Sequence, residues 1–146
     1  MIAVSDMIKL AITIIFCVFI SAYDVRAFRI PNEALYVFFL ILFVHDIKYD
    51  YSGIVNNICS SLLFFLLFTA IRYFLGGLGG GDVKFVGVLA YELGLSYSPP
   101  AFFIASVFGL TYMATVKFIG KKKADKIPFA PFLSSGAIVM LTLRIL

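Results

Sequence analysis

The sequence predicts an all-α membrane protein, a polytopic bundle of about six transmembrane helices in one domain spanning residues 1–146. Three observations lead there. First, 62% of the residues are hydrophobic and only 14% are charged, whereas a soluble domain carries about 25% charged residues; too little polar surface remains to cover a water-soluble globule. Second, the apolar residues fall into long runs punctuated by Gly, Pro and short charged stretches, and a spanning helix needs about 20 mainly apolar residues. Third, basic residues gather at alternate connections between those runs, the pattern of a polytopic chain with its positive side inside.

The same composition narrows the function. Net charge is +4, and the aromatic residues lie inside apolar runs rather than among the bases. A nucleic-acid surface needs the opposite arrangement, so no nucleic-acid partner is expected, and the lipid bilayer is. Cys17 and Cys59 also sit within apolar runs, without a metal-site spacing. They read as small buried side chains rather than a disulfide or metal ligands.

The first helix covers residues 6–23. No small-residue cleavage site follows it, so it reads as a retained span rather than a signal peptide. It is expected to stop at Asp24, and Pro31 bars continuation past Ile30. The second covers residues 33–45, or as far as Ile47, with Asn32 as its N-cap and Glu33 in its first turn. From His45 to Gly53 the chain is polar and aromatic and reads as a solvated interfacial loop. His45 is the only histidine, so this loop lacks a second ligand cluster for a metal. The third helix covers residues 54–74, with Asn56 and Ser60 on a face that packs against other helices.

A glycine-rich turn over residues 76–82 leads into a fourth segment, residues 83–97. Glu92 stands ten residues beyond Asp82, about 15 Å along a helix, and is expected to reach water at the opposite interface. Pro99 and Pro100 open a fifth helix that runs to Ile119, with Ala101, Ala105 and Gly109 as a close-packing stripe. Residues 120–126 form a basic loop whose Lys121, Lys122 and Lys123 face anionic lipid. The last segment begins near Pro128. Pro128 and Pro131 make its approach irregular before residues 134–146 run as helix.

Six crossings would place the first, third and fifth connections on one side. That side holds nine basic residues: Arg26, Arg29, Arg72, Lys84, Lys117, Lys121, Lys122, Lys123 and Lys126. The other holds three, Lys9, Lys48 and Arg144. The nine belong to the cytoplasm, with both chain ends outside and Asp24 and Asp82 at the cytoplasmic boundary.

Acids beside a bilayer are costly unless something uses them. Two carboxylates within hydrogen-bond reach do not both ionise easily and hold one proton between them. Such a pair hydrolyses a peptide without a covalent intermediate: the ionised acid takes a proton from water, and the protonated one polarises the carbonyl and then donates to the leaving amine. Other chemistries lack their residues. There is no Gly-x-Ser-x-Gly elbow, no Gly-Lys-Ser/Thr after the glycine run, and no His/Cys set for zinc. Magnesium held by Asp24 and Asp82 is the metal alternative, since oxygen ligands suit it; the reading adopted has no metal and no cofactor.

Three stretches resemble the type IV prepilin peptidases, membrane aspartyl proteases of the Gly-x-Gly-Asp kind. They are Asp24 with Arg29-Ile30-Pro31-Asn32, Gly79-Gly80-Gly81-Asp82-Val83-Lys84, and Ile127-Pro128-Phe129-Ala130-Pro131-Phe132-Leu133 with Gly136. The resemblance implies that Asp24 and Asp82 are the catalytic pair. It also implies removal of a basic leader from prepilin or pseudopilin substrates at the cytoplasmic face of the inner membrane. It marks Pro31, Asn32, Pro128, Phe129 and Pro131 as site-shaping. Gly79 and Gly81 would let backbone or substrate approach Asp82. Arg29 and Lys84 would tune the acids, hold lipid phosphate, or simply anchor the interface. Larger family members carry a cytoplasmic region with paired cysteines and N-methylate the new terminus. The short Asp24 loop, with no Cys pair, points instead to a minimal form like those of tight-adherence (Flp-type) pilus systems, without methyltransferase activity. Presenilin-type proteases share Tyr-Asp and Gly-x-Gly-Asp elements but in much longer chains. The competing reading from another class is a non-catalytic membrane assembly component or a proton or ion transport component.

Overall fold

The computed structural model describes residues 4–118 and 127–146. Its elements are α1 (Val4–Ala27), α2 (Asn32–Tyr49), a 3-10 turn (Tyr51–Gly53), α3 (Ile54–Leu75), α4 (Gly80–Phe118) and α5 (Ala130–Ile145). The described residues contain no strand, so the all-α class holds. Three helical stretches are long and apolar enough to cross a membrane: Val4–Ala27, Tyr51–Leu75 and Gly80–Phe118. Ile119 and the basic loop with Lys121, Lys122, Lys123 and Lys126 lie outside the described residues.

Each of the first three helices buries one narrow stripe at helical spacing. On α1 it is Lys9, Thr13, Cys17, Ile20 and Asp24; on α2, Leu35, Phe38, Leu42 and Asp46; on α3, Ile54, Asn57, Ser60 and Phe64. The remaining faces are apolar and exposed, as at Ile15, Leu40 and Leu66. A water-soluble bundle would put charge there. Apolar residues on both inner and outer faces fit a chain solvated by lipid. Cys59 is on such an outer face, unlike the buried Cys17, which corrects the expectation that both are buried.

The centre of the bundle is the first half of α4, in which every residue from Phe85 to Gly94 is buried. α4 is not one straight rod. At Gly94 the backbone takes φ 69° and ψ 178°, a conformation essentially confined to glycine. The contacts with α3 show that the chain doubles back there. Ser61 Oγ donates to the Gly87 carbonyl at 2.8 Å, and Gly94 abuts Asn56 and Asn57. Then Ser98 meets Ser60 at 3.1 Å, and Phe102 packs on Phe64 and Phe68. Contacts descend α3 and climb it again, so α4 is a helical hairpin. The pivot is Gly94, five residues earlier than the Pro99-Pro100 pair suggests. Ser98 steadies it by donating to the Gly94 carbonyl at 2.7 Å. The returning half packs on α5 through Ala101, Ala105 and Gly109, all buried. The approach is closest at Gly136, where a Cβ would collide with the Ala101 carbonyl. The small-residue stripe is therefore packing, as expected.

The two ends of the bundle carry different polar clusters. At the end remote from Asp24, Lys9 Nζ lies 2.9 Å from Asp46 Oδ1. It also lies 3.2 Å from Glu92 Oε2, a charge contact without hydrogen-bond geometry. Asn57 donates to Asp46 Oδ2 at 3.0 Å. Lys9, Asp46, Asn57 and Glu92 are all buried. The cluster ties α1, α2, α3 and α4 together at one level. It corrects three expectations. α2 continues to Tyr49, into the first part of the stretch read as a solvated loop, because Asp46 has an ion partner that makes burial tolerable. Glu92 turns inward to Lys9 rather than out to water. The buried amide of α3 is Asn57, while Asn56 is exposed.

Candidate active site

The other end of the bundle brings together the close of α1, the 28–31 linker, the glycine turn and the start of α5. α1 runs one turn past Asp24, because Pro31 constrains only its own predecessor. The helix closes at Phe28, a non-glycine residue with φ 50°. Asp24 is thus a residue of the last helical turn, not its stop signal, and its side chain is 5% exposed. Its Oδ2 accepts from the Ala130 amide at 3.1 Å. Ala130 is the first residue of α5, so this carboxylate satisfies one of the orphan amides at the helix start.

Asp82 sits in the first turn of α4. Its Oδ2 accepts from the Gly79 amide at 3.1 Å, and Val83 N donates to the Gly79 carbonyl at 3.3 Å. The arrangement is that of an acid at the third helical position reaching back to the N-cap amide. Both acids are therefore pinned by helix N-termini, Asp82 by its own and Asp24 by that of α5. They line the same two cavities.

The glycines have distinct jobs. Gly76 and Gly77 have φ 70° and 82°, which lets the chain leave α3 and turn into α4. A Cβ on Gly79 would stand 2.8 Å from Asp82 Oδ2, and one on Gly81 would stand 2.9 Å from the Ile30 Cβ. Gly79 thus gives the carboxylate its seat, and Gly81 lets the buried Ile30 of the linker press on the turn.

The larger cavity, about 860 Å³, is mainly apolar beyond the two acids: Phe28, Leu78, Gly109, Leu110, Met113, Phe129 and Phe132 are among its walls. The smaller, about 510 Å³, is lined by Arg29, Asn32, Arg72 and Lys84 beside the same two acids. Of the residues singled out from sequence, Phe129 walls the larger cavity, and Arg29, Asn32, Gly81 and Lys84 the smaller. Asn32 does not cap α2. Pro31 holds the N-cap position without a side-chain bond, and the Asn32 Oδ1 instead accepts from Lys84 Nζ at 2.9 Å. Pro128 and Pro131 touch neither cavity; Pro131 lies in the first turn of α5, where its ring is preorganised for helix. Sequence reasoning missed Ala130, whose contribution is a backbone amide, and counted Arg72 only among the basic residues of its side. Among the described residues no group of three or more His, Cys, Asp or Glu could hold a metal ion.

No solved structure matches the chain. It is 29% identical over 127 residues to a Bacillus subtilis (strain 168) protein named prepilin leader peptidase/N-methyltransferase; the match covers 84% of this chain and 50% of the relative. The chain thus spans about half the length of the curated relative it matches. Residues 11–114 match the type IV leader peptidase family, an interval containing Asp24, the glycine turn and Asp82, and on that match the chain belongs to the type IV leader peptidase family.

Proposed function

We propose that the chain is a membrane aspartyl endopeptidase that removes the leader peptide from prepilin-like proteins, with Asp24 and Asp82 as the catalytic pair. The observation that carries the reading is that two acids 58 positions apart in sequence share the walls of both cavities, each held by a helix-terminal amide. A water between the carboxylates loses a proton to the ionised acid and attacks the scissile carbonyl. The protonated acid polarises that carbonyl oxygen, then passes its proton to the amine as the C–N bond breaks. The amide bonds to Gly79 and Ala130 keep both acids oriented through these transfers.

The substrate class follows from the walls. An apolar helix start fits against Gly109, Leu110, Met113, Phe129 and Phe132, while the leader stays in water. Among the described residues Arg26, Arg29, Arg72, Lys84 and Lys117 lie at this end of the bundle, which supports a cytoplasmic site in the inner membrane. With α4 folded as a hairpin, the six helical segments make six crossings. The linker between α1 and α2 is four residues long and the two cysteines lie in helices, so we assign the peptidase step alone.

The test is to purify this chain, reconstitute it in vesicles and supply a prepilin-type substrate with a chelator present. Cleavage just before the apolar helix is expected at an undiminished rate. No cleavage by the chain alone would overturn the reading, and cleavage abolished by the chelator would move it to magnesium chemistry. Gly79→Ala is expected to lower kcat by up to about 10²-fold, because the new methyl displaces the Asp82 carboxylate from its seat. Gly79 is exposed, so thermal unfolding should be unchanged; kcat and unfolding measured on one preparation separate the two effects.

A further inference from the structure

We propose that the cavity lined by Arg29, Arg72 and Lys84 binds the phosphate of an anionic membrane lipid. This does not depend on the peptidase reading. Three cations from three different elements line one cavity of about 510 Å³. None is paired with a carboxylate: the ion pairs among the described residues are those of Lys9 and His45 at the remote end. Their charge is therefore not used up in neutralising Asp24 or Asp82. Lys84 spends one of its three donors on Asn32, and the Arg72 guanidinium lies against Gly80, where a Cβ would stand 2.5 Å from Nη1. These two head groups are seated in place, with donors to spare for the oxygens of a phosphate.

Two further observations select a lipid over a free anion. The wall supplied by α3 runs Phe65, Thr69, Arg72, one helical face grading from aromatic to cationic, as a lipid grades from acyl chain to head group. Directly after Arg72 come Tyr73, Phe74 and Leu75, about four-fifths exposed; Tyr73 suits head-group level, and Phe74 and Leu75 offer apolar surface to acyl chains. A lipid is also held by its chains in the bilayer, which offsets the repulsion from the two acids that share the cavity wall; a free phosphate has no such hold. Bound there, the phosphate would bridge α3 and α4, which the glycine turn joins, and the 28–31 linker that packs on it.

Native mass spectrometry of the purified chain in mixed micelles of phosphatidylglycerol and phosphatidylcholine tests this. Preferential retention of phosphatidylglycerol is expected, falling about fivefold for each charge removed in Arg29→Gln, Arg72→Gln and Lys84→Gln. Arg72→Lys should keep most of it, and Lys117→Gln, at the same end but outside the cavity, should keep all of it. Equal retention of the two lipids by the unaltered chain would overturn the proposal. So would a loss in Lys117→Gln equal to that in Arg72→Gln, or displacement of phosphatidylglycerol by inorganic phosphate.

Discussion

Asp24→Asn and Asp82→Asn are each expected to lower leader cleavage by about 10²–10⁴-fold, the range of a positioned general acid or base, while leaving an inserted bundle of unchanged helix content. The substitution is informative because of what it preserves. Each acid accepts a hydrogen bond from a helix-terminal amide, and an Asn side-chain oxygen accepts the same bond, Asn being as good a cap as Asp. What disappears is the exchangeable proton. If the two acids served only to cap α4 and α5, the Asn variants would cleave at near-normal rates. If they act as a unit, the double variant should be scarcely slower than either single one, since residues of one catalytic unit are far from additive. Initial rates on a reconstituted prepilin-type substrate, with circular dichroism on the same samples, decide between the two outcomes.

Lys9→Met is expected to destabilise the bundle by about 3–5 kcal/mol, the cost of removing one partner from a buried ion cluster. Among the described residues Lys9 is the one cation paired with both Asp46 and Glu92, and both acids are buried. Without it, Asp46 and Glu92 face each other in a low-dielectric interior, and what remains beside Asp46 is the Asn57 amide and the His45 ring, 3.5 Å away. Adding Glu92→Gln to Lys9→Met should recover part of the loss, a coupling that a double-mutant cycle reads directly. Lys9 stands 15 residues before Asp24 on α1, about 22 Å along the helix. Cleavage should therefore fall only as far as the folded fraction falls. Unfolding of the single and double variants in detergent measures this; an unchanged midpoint for Lys9→Met would mean that the cluster does not hold the helices together.

The parts legible in the sequence are those written in local punctuation. Long apolar runs, the Gly76 to Gly81 turn, and Pro31 and Pro131 mark where helices start and stop, and the third helix was placed within a residue of its observed Ile54–Leu75. That Asp24 and Asp82 line common cavities is foreshadowed in the sequence, because each Asp sits near the end of an apolar run, beside residues that permit close approach. The missed features depend on partners distant in sequence. Asp46 reads as a loop residue until Lys9 is beside it, and Glu92 reads as solvated for the same reason. Asn56 and Asn57 differ by one position and about 100° around the helix, which no composition argument resolves. Gly94 was overshadowed by Pro99 and Pro100, although only glycine adopts the backbone the reversal needs. Ala130 could not be picked out, since a backbone amide has no residue signature; only the prolines around it hinted that the start of α5 is set with care.

Asp24 and Asp82 are expected to meet at one membrane face. Cysteines placed at both positions, Asp24→Cys with Asp82→Cys, in a Cys17→Ala, Cys59→Ala background in native membranes test this directly. A short bifunctional thiol reagent should join the two within a single chain, and an impermeant thiol reagent applied from the cytoplasmic side should block that reaction. Absence of the link, or labelling of the two cysteines from opposite faces, would contradict it.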